Sequence, residues 1–471
     1  MEMYVAGEWC RAAREEEVVN PYDGSVIDTV PVAGAAEAER ALAAATEGAR
    51  AMRDLSPYER TEIVRQAAEL VAGSIDELAQ TIALEVGKPL AEARGEAARI
   101  PDLLRVSAAE GARLHGETVP VDASANGAGR LGLTIRQPCG IVVAITPFNY
   151  PALLTGHKIG PALAAGNAVI LKPARSTPLT GLWLTRKLLE AGLPENALQC
   201  LTGPGTELGR VLCSDPRVRK ISFTGSTAVG EDISRVAGVK RLSLELGANC
   251  PLIVLSDADL DTVAAATATG GYVNAGQVCI SVQRVLVADE VYDPFVERLT
   301  PLVEEIRTGH PLAEGTTMGP VISEGEARRV ENAIRDAVEG GATLIAGGQR
   351  EGAVVAPSVL GDVDPAMDIS RVELFGPAVA LTRVTGIDQA IALANDSDYG
   401  LGAGLFTSDL GSALRFAREV DCGSIQINSS PLWRADLMPY GGLKGSGIGK
   451  EGPRAAVEEM TEIKTVVFHP S

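Results

Sequence analysis

Short apolar runs alternate with helical patterns between about residues 140 and 247. The runs are rich in β-branched residues and lie at 140–146, 167–171, 198–201, 220–224 and 241–245. The segments between them, such as 178–191, carry apolar residues at helical spacing and are bounded by turn residues. Fully apolar strands separated by helices are typical of βαβ crossovers, which build a parallel sheet covered on both faces. The pattern therefore predicts an α/β domain that binds its ligands at the carboxyl ends of the strands.

A second alternating series begins near Cys250 and continues to residues 423–428, which predicts another α/β domain. Residues 36–115 are rich in Ala, with Glu and Arg three and four positions apart, and should be mostly helical. Residues 117–137 and the tail 462–468 have the character of strands outside both domains. They are either edge strands of the nearest sheet or an oligomerisation arm. We favour the arm, because tail strands seek pairing partners.

Composition narrows the range of functions. The chain has 471 residues, which is long enough for two sizeable cores. A net charge of −19 argues against nucleic acid or an anionic membrane surface as partner. We expect no membrane span and no secretory signal, since no apolar run reaches about 20 residues and no basic region precedes an apolar one. Seven scattered cysteines and four histidines favour neither disulfides nor zinc, so we expect a cytoplasmic protein without a metal.

Two glycine-containing motifs are candidates for phosphate binding. The Gly-x-Gly-x-x-Gly match at residues 127–132 follows a polar loop and precedes a strand, which is the wrong context for a dinucleotide fingerprint. Phe223-Thr-Gly-Ser-Thr-Ala-Val-Gly230 follows a strand and opens a helix. Gly225 and Ser226 would then direct free backbone amides toward a phosphate. The alternative is that the glycines serve only a steric purpose at the turn.

Four residues at predicted strand ends and turns could carry chemistry. Cys279, in Asn274-Ala-Gly-Gln-Val-Cys-Ile-Ser281, follows a sequence that predicts a tight turn presenting the thiol. A nucleophilic thiol needs a base and an oxyanion donor, which Glu245 and Asn149 could supply. Lys172 could hold the ribose of a cofactor. Each has a structural alternative: an inert buried cysteine, a strand-end carboxylate, an Asx turn and a surface lysine.

Seven motifs together resemble the aldehyde dehydrogenase superfamily over nearly the whole chain. They are Thr146-Pro-Phe-Asn149, Leu171-Lys-Pro-Ala174, Phe223-Thr-Gly-Ser226, Leu244-Glu-Leu-Gly247, Gly276-Gln-Val-Cys279, Glu373-Leu-Phe-Gly-Pro377 and Pro439-Tyr-Gly-Gly-Leu-Lys-Gly-Ser-Gly447. Their order and spacing are those of the family. The resemblance implies NAD(P)-dependent oxidation of a small aldehyde to a carboxylic acid, by a homodimer or homotetramer.

The resemblance also implies a domain division. It assigns a Rossmann-type dinucleotide-binding domain to residues 1–116 and 138–247. An α/β catalytic domain follows at 248–447, and a small β oligomerisation arm comprises 117–137 and 455–471.

The family's residue roles carry over by position. Cys279 resembles the nucleophile, Asn149 the oxyanion donor and Glu245 the general base, while Lys158 and Glu451 match positions implicated in proton relay. Lys172 and Glu373 resemble the residues that hold the two cofactor riboses, and Phe375 matches the nicotinamide neighbour. The whole set implied for cofactor binding is Ile145, Thr146, Pro147, Lys172, Ala174, Arg175, Gly205, Phe223, Thr224, Gly225, Ser226, Val229, Leu246, Glu373 and Phe375.

Departures from the family pattern bear on the substrate. Residues 277–284 resemble the branch with lactaldehyde and phosphonate-aldehyde dehydrogenases. Relatives that take phosphorylated or phosphonated aldehydes often carry an arginine before the nucleophile, where this chain has Val278. Arg99, in contrast, matches a helix arginine that some relatives use for anionic substrates, although it could equally be solvated. The residues expected at the substrate are Arg99, Val278, Ile280, Trp433 and Arg434.

Two rival functions are weighed against this one. A CoA-acylating dehydrogenase would pass the thioester to coenzyme A, but such relatives commonly lack the carboxylate at position 245. A non-catalytic structural protein on the same fold would not need the base, the oxyanion donor and the nucleophile together. In this chain the base motif continues as Ala248-Asn249-Cys250 instead of Gly-Lys. The base itself is kept, so hydrolysis by water is expected to survive.

Arg175 bears on the choice between NAD and NADP. NAD-preferring relatives commonly carry a glutamate three positions after the strand-end lysine, and a carboxylate there repels a 2′-phosphate. Arg175 removes that repulsion and adds a guanidinium that can pair with phosphate oxygens. We expect NADP to be accepted, with a lean toward preference. If Arg175 only points into solvent, both cofactors would be used.

Overall fold

An eight-stranded sheet forms the centre of the first α/β unit. The computed structural model describes residues 1–469. In spatial order the strands are Glu8–Cys10, Met3–Val5, Leu198–Cys200, Ala168–Lys172, Ile141–Ile145, Val218–Thr224, Arg241–Glu245 and Gly447–Ile448. The five strands from Leu198–Cys200 to Arg241–Glu245 are parallel and are those predicted from the apolar runs.

The order of these parallel strands reverses beside Ile141–Ile145. The next two strands along the chain lie on one side of it, and the following two lie on the other side. In open α/β sheets, ligands bind in the crevice that such a reversal leaves at the carboxyl ends of the strands. Alternate residues of the central strand face different cores, since Val142 and Ala144 belong to one apolar cluster and Val143 to another. The sheet is therefore covered on both faces, as its uniformly apolar strands require.

Fifteen α-helices accompany the sheets within residues 1–469. Those of the first unit are Ala35–Asp54, Pro57–Ala72, Ile75–Val86, Leu90–Ala112, Pro151–Ala164, Pro178–Glu190, Gly205–Ser214 and Thr227–Ala237. The others are Leu260–Tyr272, Tyr292–Glu304, Glu324–Glu339, Asp368–Arg371, Ile387–Asn395, Leu410–Glu419 and Pro453–Glu459. The helical prediction for residues 36–115 is thereby confirmed. None of the helices in this part of the chain has both the length and the apolar character needed to cross a membrane.

A seven-stranded sheet forms the second α/β unit. Its strands, in spatial order, are Thr343–Ala346, Ser358–Gly361, Ala378–Val384, Val282–Ala288, Cys250–Val254, Gly402–Phe406 and Ser424–Ile427. All neighbours are parallel except the first pair. The second predicted α/β unit is therefore present. Short antiparallel pairs also form between Glu15–Val19 and Val26–Pro31 and between Arg350–Glu351 and Val354–Val355.

A separate three-stranded sheet contains the tail. The strand Thr461–Phe468 pairs antiparallel with Leu131–Pro138, which also pairs with Thr118–Val119. The tail is thus not an edge strand of either large sheet. Only part of the predicted segment 117–137 is strand, because Val121–Ala123 and Ala125–Gly127 are 3₁₀ turns. Gly127 and Gly129 of the rejected glycine motif fall in this turn region, and its last glycine, Gly132, lies in the strand that follows. Residues 470–471 of the predicted arm lie outside the described residues.

Two helical glycines make a matched test of the packing. Gly48 is buried, and a Cβ there would stand 1.9 Å from the backbone oxygen of Asn196, whereas a Cβ at Gly95 meets nothing within 4 Å. Gly48→Ala should therefore destabilise the protein by about 1–3 kcal/mol through overpacking. Gly95→Ala should stabilise it by about 0.5–1 kcal/mol through helix propensity. Thermal unfolding midpoints of the two variants should move in opposite directions, and equal shifts would contradict this packing.

Candidate active site

A left-handed turn presents Cys279 at the entrance to the strand Val282–Ala288. Asn274 and Ala275 have φ of 51° and 54°, and Gly276 follows with a φ of 70°. A Cβ at Gly276 would stand 2.1 Å from the carbonyl oxygen of Gly376, so only glycine fits this approach. The thiol beyond the turn is only partly buried. The tight turn predicted from the sequence is therefore present and leaves the thiol accessible.

The Cys279 thiol lies in a site that disfavours its charge. Burial raises its pKa to about 12, although the hydrogen bond with Tyr440 acts in the opposite direction. The two atoms of that bond, Sγ and the Tyr440 hydroxyl oxygen, are 3.2 Å apart. Glu245 raises the pKa of the thiol further by charge repulsion. At neutral pH the thiol is protonated in this state, so a reaction at sulfur needs a nearby proton acceptor.

The Asn149 side chain lies against the segment that leads to Cys279. Its Nδ2 donates to the Gln277 carbonyl over 2.8 Å, and its Oδ1 is buried without a partner. Asn274 Nδ2 donates in return to the Asn149 carbonyl over 3.1 Å. Because the Asn149 amide bonds across to residue 277, it does not form the local Asx turn considered above. This bond uses one of the two amide hydrogens of Asn149 and holds the side chain against the turn that leads to Cys279.

A buried ion pair between Lys88 and Glu96 holds the backbone of Asn149, and it was not predicted from the sequence. Lys88 Nζ donates to the Asn149 carbonyl over 2.7 Å and to Glu96 over 2.8 Å, and both charged side chains are 0% exposed. Glu96 also accepts from the backbone amides of Ala152 and Leu153, at the N-terminus of helix Pro151–Ala164. The only sequence signal is a lysine between Gly87 and Pro89, which indicates a turn but not a partner.

Glu245 ends its strand with no polar partner. Both carboxylate oxygens are buried and unbonded. Burial raises the pKa of Glu245 well above its usual range, and the nearby Glu451 carboxylate adds to the shift. A Cβ at Gly441 would stand 2.7 Å from Glu245 Oε1, so glycine there leaves the carboxyl its space. An unpartnered carboxyl with a raised pKa is a candidate general base.

Glu451 is the electrostatic opposite of Glu245. Lys158 Nζ donates to its Oε1 over 2.9 Å, and Arg434 donates to its Oε2 over 3.2 Å. Burial opposes ionisation of Glu451, but these two cations hold its pKa below the usual range. Lys158 also donates to the Thr224 hydroxyl over 2.7 Å. The predicted relay pair, Lys158 and Glu451, is therefore in contact.

One stretch of chain, residues 438–451, brings these groups together, and we call it the crossing segment. Tyr440 pairs with Glu451 across it. Leu443–Lys444 pairs with Tyr399–Gly400 beside the second unit, and Gly447–Ile448 pairs with Leu244 and Glu245 of the first unit. The crossing segment thus contacts Cys279 and Glu245 and itself contains Glu451.

A cavity of about 220 Å³ opens onto the thiol. It is lined by Arg99, Asn149, Tyr150, Leu153, Leu154, Val278, Cys279, Ile280, Leu432, Arg434 and Tyr440. Of the predicted substrate residues, only Trp433 is absent from this lining, and it is 57% exposed. The tyrosines and leucines of the lining were not predicted, because their sequence positions do not distinguish them from core residues.

Arg99 and Arg434 bring positive charge to the cavity wall, but both are paired. Arg99 forms a double hydrogen bond with Asp436, over 3.0 and 2.6 Å. Asp436 also lies 3.2 Å from His157 Nε2, as does Arg434 NH2. Arg434 covers the Tyr440 ring at 3.8 Å and has a buried Nε without a partner. The Arg434 Nε is therefore the donor in this wall that remains for an acidic group on a substrate.

Lys172 lies at the carboxyl end of its strand, beside the crevice of the first unit. Its Nζ is buried and donates to the Pro173 carbonyl over 2.8 Å. Burial lowers its pKa to about 8. Gly205 begins a helix next to it, and a Cβ there would stand 3.7 Å from Nζ. A buried ammonium with few partners, beside a helix start, fits the ribose and phosphates of a dinucleotide.

The expectation that the Gly225 amide is free to bind a phosphate is wrong. The Gly225 amide donates to the Glu245 carbonyl over 3.0 Å, so it is not free for a phosphate. The amide is engaged because the two strands run side by side to their ends, where Thr224 is level with Glu245. Ser226 is the N-cap of helix Thr227–Ala237 and makes no side-chain cap hydrogen bond. The helix N-terminus keeps the phosphate-binding character that was expected of the turn.

Glu373 and Phe375 lie where the second unit approaches the first. Glu373 accepts from the Ala248 amide over 3.0 Å, and burial raises its pKa to about 7. Phe375 has a φ of 49° and meets Phe148 edge to face, with ring centroids 5.9 Å apart. The other expected cofactor residues are Ile145, Thr146 and Leu246, which are buried, Pro147, Ala174 and Thr224 near strand ends, and Val229, exposed on its helix.

No group of three or more His, Cys, Asp or Glu suited to a metal ion occurs among residues 1–469.

The profile of the aldehyde dehydrogenase family matches residues 9–466. The 3-sulfolactaldehyde dehydrogenase of Priestia aryabhattai is 46% identical, covering 99% of this chain and 98% of its own. A lactaldehyde dehydrogenase of Methanococcus vannielii is 38% identical over 99% and 100%. The NADP-dependent glyceraldehyde-3-phosphate dehydrogenase of Bacillus halodurans, solved with NADP, matches with a TM-score of 0.97 and 36% identity, covering 99% and 98%.

Proposed function

The chain belongs to the aldehyde dehydrogenase family and is an NAD(P)-dependent aldehyde dehydrogenase, and we propose that it works through Cys279, Glu245 and Asn149. The observation that carries the proposal is the unpartnered, buried carboxyl of Glu245 in the same site as a partly exposed thiol. A structural protein has no reason to leave a buried carboxyl unbonded, because burial without partners is costly. Water is the acyl acceptor in this proposal, as retention of Glu245 favours hydrolysis over transfer to coenzyme A.

The proposed reaction begins at sulfur. The Cys279 thiol releases its proton to solvent in the cavity, and the thiolate attacks the aldehyde carbon. The Asn149 amide and the Cys279 backbone N–H donate to the oxyanion of the thiohemiacetal. A bound nicotinamide supplies the hydride acceptor. The thioester left on Cys279 is then hydrolysed by water that Glu245 deprotonates, and Lys158 and Glu451 pass the proton onward.

We propose that Lys172 and Glu373 hold the two riboses, with the N-terminus of helix Thr227–Ala237 at the phosphates and Phe375 beside the nicotinamide. The buried amine of Lys172 and the partly buried carboxyl of Glu373 support this arrangement. The associated domain division is 1–116 with 138–247 for the cofactor, 248–447 for catalysis, and 117–137 with 455–471 for oligomerisation.

The substrate that suits the cavity best is a small aldehyde with a polar or acidic end. A volume of about 220 Å³ accommodates a short chain, and Arg99 and Arg434 stand in its wall. Val278 offers no cation next to the nucleophile, so the acidic group would meet the far wall instead. The aldehydes for which two relatives are named, 3-sulfolactaldehyde and glyceraldehyde 3-phosphate, are of this kind.

The three-stranded sheet supports a homodimer or homotetramer. Apolar side chains on its faces are exposed in the single chain, including Leu131 (55%), Ile463 (63%) and Phe468 (55%). Exposed apolar strands of this kind mark association surfaces. Sedimentation equilibrium of the parent should give a dimer or tetramer. Replacing Ile463 and Phe468 with Lys should shift it toward monomer, and an unchanged mass would contradict the proposed arm.

A panel of small aldehydes tests the reaction class. Lactaldehyde, succinate semialdehyde and 3-sulfolactaldehyde should each be tried with NAD and NADP, with and without coenzyme A, while reduced cofactor is followed by absorbance. We expect turnover without coenzyme A, because water is the proposed acceptor.

Cys279→Ala should abolish turnover while cofactor binding persists. Cys422→Ala, which changes a partly buried cysteine outside the site, is the control; turnover of Cys279→Ala within tenfold of the parent would refute the assignment.

Glu245→Gln should separate the two halves of the reaction. The amide keeps the size of the side chain but cannot accept the proton of water, so the thioester should accumulate. Stopped-flow absorbance should then show a burst of reduced cofactor followed by slow turnover. Unchanged steady-state turnover would assign the base role to another group, with Glu451 the next candidate.

A further inference from the structure

Arg175, expected to meet a cofactor phosphate, is instead paired with an acidic residue from the beginning of the chain. Its Nε and NH2 donate to the two carboxylate oxygens of Glu16, over 2.7 and 2.9 Å. Glu16 lies in the strand Glu15–Val19, which pairs with Val26–Pro31 in a short hairpin. The guanidinium is 64% exposed and the carboxylate 18%. The sequence gives no hint of this contact, since the two residues are 159 positions apart.

This pair adjoins the amine proposed to hold the adenosine ribose. Arg175 stands three positions after Lys172, and both Glu16 and Arg175 act on the charge of Lys172. The carboxylate that NAD-preferring relatives carry at position 175 is thus absent from the strand end, but another carboxylate reaches the same neighbourhood from the hairpin. Arg175 is also no longer a free cation, because its forked donors are already used by a matching carboxylate.

We propose that Glu16 determines the cofactor preference by occupying Arg175 and by repelling the 2′-phosphate of NADP. This inference rests on the proposed function. A 2′-phosphate gains the guanidinium only if it displaces Glu16, and it then meets the negative charge of that carboxylate at close range. NAD, which has a hydroxyl in that place, faces neither cost. The pair therefore keeps NAD competitive in a chain whose residue 175 alone would favour NADP.

The exposure of the pair argues that it does little for folding. Partly exposed ion pairs typically contribute under about 1 kcal/mol to stability, so removing one charge should leave the protein folded.

Glu17 supplies a matched control. It follows Glu16 on the same strand, is exposed, and directs its side chain to the opposite face. Glu17→Gln therefore makes the same change of charge next to the pair without touching Arg175.

The experiment compares the parent, Glu16→Gln, Glu17→Gln, Arg175→Met and the double variant Glu16→Gln/Arg175→Met. Binding of adenosine 2′,5′-bisphosphate and of 5′-AMP is measured by calorimetry, which does not depend on turnover. In Glu16→Gln we expect the bisphosphate to bind about two- to fivefold more tightly, the range of a partly exposed charge pair. Binding of 5′-AMP should stay unchanged. Arg175→Met should show no such gain, and the double variant should gain less than Glu16→Gln does, because only the repulsion by Glu16 is then relieved.

Steady-state kinetics then test the same preference in turnover. Glu16→Gln should lower the KM for NADP with little change in kcat or in the KM for NAD. A bisphosphate affinity in Glu16→Gln equal to that of Glu17→Gln would overturn the inference. So would an equal gain in the double variant, because Arg175 would then play no part. Turnover that fails in all variants, with the selectivity of binding intact, would instead count against the proposed function.

Discussion

The crossing segment is the constraint on which the site depends. Cys279 belongs to the seven-stranded unit and Glu245 to the eight-stranded one, so neither unit contains the candidate site alone. Within residues 438–451, Gly447–Ile448 pairs with the strand Arg241–Glu245 of the first unit and Leu443–Lys444 pairs with Tyr399–Gly400. Tyr440 contacts Cys279 between them. Because the pairings use backbone hydrogen bonds in fixed register, the distance between thiol and carboxyl is set by chain geometry.

The buried charges of the site are divided unequally between two glutamates. The Glu451 carboxylate contacts two cations, Lys158 and Arg434, whereas the Glu245 carboxylate receives no hydrogen bond. Their pKa values therefore move in opposite directions, so that Glu245 takes up a proton more readily than Glu451 does. The division is possible because Arg434 is shared between Glu451, His157 and the Tyr440 ring.

Local patterns predicted the elements well and long-range contacts poorly. The five parallel strands and the helices of 36–115 follow from apolar periodicity, and the motif residues at strand ends meet because parallel strands end at one edge of a sheet. Gly225 was misjudged because its amide is used by a neighbouring strand, which a single strand–turn–helix pattern does not specify. Lys88 and Glu16 were invisible for a related reason, since their partners are distant in sequence or in another element. Tyr440 lay within a recognised motif, but only its contact with the thiol distinguishes it from a core tyrosine.

The two ion pairs that flank the site respond differently to the surrounding solution. The Lys88–Glu96 pair is fully enclosed, so dissolved ions cannot reach the electrostatics that hold Asn149. The pair between Glu16 and Arg175 is open to solvent, where charges are screened over about 8 Å at physiological ionic strength. Ionic conditions can therefore weaken the contact between Glu16 and Arg175 without altering the position of Asn149. The two ion pairs are thereby insulated from each other within one chain.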